Sequence, residues 1–169
     1  MCGQRANAHL TIRQIALFGM LGALTFGAKV AMAALPNIEP VSLMVMLFAV
    51  VFGLKGLYPV YLYVLLEVLL YGINLWNINY LYIWLVLFFG AYALRKLRNP
   101  LWFAALSGVF GMAFGLLCSP VYMAIGGVSY GIRWWLSGVA FDIPHAIGNC
   151  VIAALLFAPM RALLQKLYG

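Results

Sequence analysis

The charges of this chain are few and gathered between long apolar runs: 13 of its 169 side chains are charged, 10 of them cationic. With 67% hydrophobic residues and a mean hydropathy of +1.05, a chain of this length has no way to hide its apolar surface in a water-soluble globule, because small domains leave much of their surface exposed. The sequence therefore predicts an all-α, multi-pass protein of the cell membrane. A spanning helix needs roughly 20 apolar residues, so the chain has room for about six spans with short connections. That makes a single compact transmembrane domain over residues 1–169.

Hydropathy and turn residues place the spans at 11–35, 41–57, 58–75, 80–95, 101–124 and 139–161. The stretch from Pro36 to Pro40 ends the first, Gly53 to Pro59 turns the second into the third, and Asn74 to Asn79 reads as a polar break. Residues Arg95 to Pro100 close the fourth, and Gly126-Gly127 opens the longest connection. With a cytoplasmic N-terminus, Arg5, Arg13, Lys55, Arg95, Lys96, Arg98, Arg161 and Lys166 all fall inside, against Lys29 and Arg133 toward the outside. This obeys the positive-inside rule and predicts that both termini are cytoplasmic. The net charge of +7 is then topology, reinforced by anionic inner-leaflet lipid. No basic face remains for nucleic acid.

The first apolar segment is too long for a cleavable signal peptide. Cys2, Cys118 and Cys150 are odd in number and widely spaced, which fits neither a disulfide framework nor a metal site. Cys2 lacks the preceding apolar stretch of a lipoprotein signal.

In the first span Gly19, Ala23, Gly27 and Ala31 recur every four residues, with Ala16, Gly22 and Ala28 nearby. Such a face lets another helix approach closely in lipid; it packs either on the protein's own bundle or on a separate membrane subunit. Ionisable groups at membrane depth are costly and usually functional. Glu67 is one, in the third span, as a polar anchor or a pathway residue, and Lys29 is a conceivable mate. Glu39, between two prolines, reads as a solvated loop residue or part of a gate. Asp142, His145 and Asn149 share one face of the last helix by their spacing of three and four. An acid, an imidazole and an amide there either hold helices together or meet a polar ring ligand. The other His is His9, in the tail, so a metal site is not expected. Asn79, Tyr80 and Trp84 open the fourth span, and Arg133-Trp134-Trp135 precedes the sixth. Aromatics collect at bilayer interfaces without any ligand, yet Tyr80 and Trp84, one turn apart, also form a stacking wall for a flat heterocycle.

No nucleotide-binding loop, Ser/His/Asp order or metal-helix motif occurs. The expectation is a non-enzyme without cofactor, whose energy for any uphill transport comes from a partner or a coupled ion. The small-residue first helix, Leu35-Pro36-Asn37-Ile38-Glu39-Pro40-Val41-Ser42, Phe52-Gly53 and the run from Gly138 to Asn149 together resemble the substrate-binding S components of energy-coupling factor (ECF) vitamin transporters. The likeness covers nearly the whole chain. Glycine stands at some first-helix places where that family often has alanine.

The resemblance implies capture of a water-soluble vitamin or precursor from outside. Docking would follow through Gly19, Ala23 and Gly27 onto a transmembrane coupling subunit that carries two cytoplasmic ATPases, with toppling in the membrane to deliver the ligand. It makes Asn79, Tyr80, Trp84, Asp142, His145 and Asn149 the expected ligand contacts. Cobalamin is the first expectation within the family, with pyrimidine, pyridoxine and queuosine-type precursors beside it. The alternatives are a stand-alone proton-coupled carrier using Glu67, Asp142 and His145, and a membrane-embedded enzyme with Asp142 and His145 as acid and base.

Overall fold

The computed structural model describes residues 10–35 and 37–168, and these are helical throughout apart from short connections. Arg5, Cys2, His9 and Pro36, which the sequence reading used, lie outside the described residues. The helices are α1 (Ile12–Ala31), α2 (Val41–Phe52), α3 (Leu57–Tyr71), α4 (Leu75–Ala93), α5 (Leu101–Gly126) and α6 (Val128–Tyr168), with a 3-10 turn over Gly53–Gly56. Five segments are long and apolar enough to cross a membrane: α1, the stretch Val41–Tyr71, α4, α5 and α6. This is the solvent class expected from composition.

The stretch Val41–Tyr71 is bent back on itself. Gly53 adopts φ 59°, a left-handed conformation that ends α2 where other residues would be strained. Gly56 then lies against the carbonyl of Phe48, eight residues back, whereas a straight helix would separate them by about 12 Å. Helix α2 is apolar all round apart from Ser42 and correspondingly central, with every residue from Val41 to Ala49 buried, as expected of a helix without a polar face. It packs against α4 and α6, and α1 packs against α3.

Helices α5 and α6 form an antiparallel hairpin closed by the single residue Gly127, at φ 82°. The long connection expected between 124 and 139 is therefore absent: α6 runs unbroken over 41 residues and includes Arg133, Trp134 and Trp135. Residues 128–138 contain no proline to stop a helix, the two prolines of α6 being Pro144 and Pro159 further along, and packing begins at once, with Gly131 buried against Met123 and the Ser119 carbonyl. Along the seam, an added Cβ on Gly111 would lie 2.8 Å from Ala146 Cα, and one on Gly115 2.6 Å from Asp142 Oδ2. Helix α6 spans about 60 Å, twice the hydrocarbon thickness of about 30 Å. Its last turns continue past the start of α5 to α1, where Tyr168 packs 4.8 Å from Phe52 by ring centroid and its hydroxyl accepts from Gln14.

Other boundaries differ from expectation as well: α2 ends at Phe52 rather than 57, α3 at Tyr71 rather than 75, and α6 continues to Tyr168 rather than 161. Helix α1 ends at Ala31 rather than 35. Helix α4 begins at Leu75, inside the expected polar break, because Asn74 is its cap: Asn74 Oδ1 accepts from the Trp76 N–H at 2.9 Å, and Asn77 Oδ1 accepts from the Asn74 N–H at 2.6 Å. Asparagines read as a break are here a capping pair.

Candidate functional site

Charge is sorted along the bundle. At one end, Arg13 donates to the Leu167 carbonyl, Lys55 to Gln14, and Arg161 to the carbonyls of Leu97 and Arg95. At the opposite end, where α1 and α3 finish and α4 begins, lies a cavity of about 490 Å³. Its polar lining includes Lys29, Glu39, Glu67, Asn77, Tyr80 and His145. Aromatic surface comes from Tyr71, Trp76 and Phe114.

The central contact of this cavity joins α1 to α3. Lys29 Nζ lies 2.7 Å from Glu67 Oε2 and donates to the Tyr80 hydroxyl at 3.2 Å. Its ammonium also sits 5.1 Å from the Tyr80 ring centroid and 6.0 Å from that of Tyr71, within range of a cation–π attraction. Glu67 Oε1 is buried without a hydrogen-bond partner among the described residues, and so is His145 Nε2. Such groups are rare in a finished core, since each left unmade costs about 1–3 kcal/mol. Glu39 lines the same cavity from the connection between α1 and α2. Burial pushes its carboxyl above the ordinary value, and the neighbouring Lys29 ammonium pulls it partly back.

The expected ligand contacts separate into two groups. Tyr80 and His145 line the cavity, with His145 edge-on to Phe114 at 4.9 Å. Trp84 is not part of the lining; it is fully buried, 5.4 Å from Tyr80 by ring centroid. Asn79 is also buried, its Nδ2 donating to the Leu75 carbonyl at 3.3 Å and its Oδ1 3.0 Å from the Tyr82 hydroxyl. Asp142 accepts from the Gly115 N–H at 3.1 Å in the α5–α6 seam. Asn149 donates to Ser42 Oγ at 3.0 Å, tying α6 to the central α2. The three polar residues of α6 share a face as the spacing requires, but successive turns meet different neighbours. Tyr71 and Phe114 also line the cavity, and no motif in the sequence marks either.

The small-residue face of α1 is not covered by the other described residues. Ala16, Ala23, Gly27 and Ala31 are exposed, and nothing lies within 4 Å of a Cβ added to Gly19 or Gly27. Gly22, on the other side, packs against Leu62. Among the described residues no three His, Cys, Asp or Glu side chains come together as a metal-holding group. Comparisons with protein-family models, curated proteins and solved structures find no match to this chain.

Proposed function

We propose that this chain is the membrane-embedded capture subunit of an ECF-type importer, spanning the bilayer six times with both termini in the cytoplasm. It binds a water-soluble vitamin or precursor from outside and passes it on by docking to a coupling subunit powered by two ATPases. The observation that carries this reading is the cavity at the end of the bundle away from the basic end, lined by charged, amide and imidazole side chains beside aromatic ones. Ligand clefts combine such directed polar groups with aromatic walls. The uncovered face of α1 supports the docking half of the reading, because close helix approach in lipid needs small side chains.

The Lys29–Glu67 pair, carried by two apolar helical segments and lining the cavity, favours a second reading, a stand-alone proton-coupled carrier. Titrating purified full-length protein with water-soluble vitamins and their precursors, by calorimetry and thermal shift, is the primary test. A tight ligand raises the apparent stability by mass action, and His145→Ala weakens its binding by about 1–3 kcal/mol. The capture reading fails if a folded protein binds nothing in the panel. Uptake into vesicles that contain this chain alone selects the carrier instead.

A further inference from the structure

Two carboxylates face one ammonium in this cavity. Lys29 gives its short contact to Glu67 Oε2, and this is the only ion pair among the described residues. Glu67 Oε1 remains buried and unpartnered, and Glu39 lines the wall with no ion pair of its own. The other elements around the cavity bring no second cation: α3 adds Tyr71, α4 adds Asn74, Trp76, Asn77 and Tyr80, α5 adds Phe114, and α6 adds His145. With both acids ionised, the wall holds one negative charge more than Lys29 neutralises. An unpaired charge shielded from water is costly, and a partner of opposite sign relieves it.

The remaining surface also suits a positive ring. Trp76 and Phe114 stand nearly parallel, 21° apart with centroids separated by 6.5 Å, and the Tyr80 ring already faces one cation. Aromatic faces attract cations and stack on flat heterocycles. A volume of about 490 Å³ lies toward the small end of ligand clefts; a corrin macrocycle with its side chains needs more room.

We propose that the cavity takes a small heteroaromatic compound carrying one positive charge, its cation against Glu39 in the field of the neighbouring Glu67 carboxylate and its ring against Trp76, Tyr80 and Phe114. This names the substrate class of the capture site and rests on that reading.

Three probes with the same pyridine ring and nearly equal size separate charge from shape: picolylamine, nicotinamide and nicotinate, which are respectively positive, neutral and negative at neutral pH. Each is titrated at millimolar concentration into the purified full chain in lipid nanodiscs, with calorimetry as readout. Picolylamine is expected to bind at least about tenfold more tightly than nicotinamide, and nicotinate most weakly. Glu39→Gln should reduce picolylamine affinity by about tenfold and leave nicotinamide unchanged. Nicotinamide or nicotinate binding as well as picolylamine overturns the charge assignment, as does the absence of binding by all three. In either case a neutral or anionic hit from the vitamin panel would leave the capture reading standing, whereas failure of both experiments removes it as well.

Discussion

Lys29 enters the bundle from an apolar helix and is held there by one carboxylate, one hydroxyl and neighbouring tyrosine rings. Removing one member leaves the other charge largely buried. Lys29→Met or Glu67→Leu alone is therefore expected to destabilise the protein by about 3 kcal/mol, at the low end for a broken buried pair because Lys29 stays partly open to the cavity. The double variant should cost less than the sum of the singles, a coupling that thermal unfolding in detergent would reveal; simple additivity would mean the pair is not coupled. Glu39 gives a pH dependence with a definite sign. A bound cation needs the carboxylate form, and the carboxyl titrates above its usual 4.5, so picolylamine affinity should fall as the pH drops through that raised value. Lys29, Glu67, Tyr80 and His145 surround the same cavity, so the control is Glu39→Gln. If the slope persists in that variant, it belongs to another group, His145 foremost. The ion pair was partly legible in sequence, because two opposite charges in apolar spans need partners. Asp142, by contrast, was legible as buried but not as bound to a backbone N–H of α5, since nothing in its spacing reports which neighbour faces it.

Helix packing separates two kinds of glycine that a sequence pattern treats alike. Gly19 and Gly27 on α1 border open space, while Gly111 on α5 lies against the backbone of α6. Gly111→Ala should accordingly cost about 1–3 kcal/mol through overpacking, whereas Gly19→Ala should leave the isolated chain's melting temperature unchanged or raise it slightly, because alanine is the better helix former. Equal effects at the two positions would contradict the tight α5–α6 seam. On the exposed face, Ala23→Leu is expected to preserve ligand binding while blocking co-purification with a coupling subunit, because a bulky side chain prevents close helix approach; normal co-purification would remove the docking role. The helices themselves were read from hydropathy with small errors at the first five and a large one at α6. Its apolar centre was plain, but its first turns contain Gly131 and Gly138 and follow a double glycine. Those residues signal a loop locally, and only contact with α5 makes them helical.

The whole molecule has a basic end and a cavity end. Reporter fusions at the N- and C-termini should both score as cytoplasmic if the chain crosses the bilayer an even number of times; opposite locations would refute the six-span topology. Arg13, Lys55, Arg95, Lys96, Arg98, Arg161 and Lys166 mark the basic end through the first turn of α1, the α2–α3 turn, the α4–α5 connection and the last turns of α6. With that end inside, the resting voltage of a cell acts as a keel. Carrying seven positive charges outward through a difference of about 100 mV would require about 16 kcal/mol, before any loss of hydration. Thermal agitation does not supply that, so a chain inserted this way round keeps one up and down, and any rocking or tipping motion would proceed with the basic end still anchored on its own side.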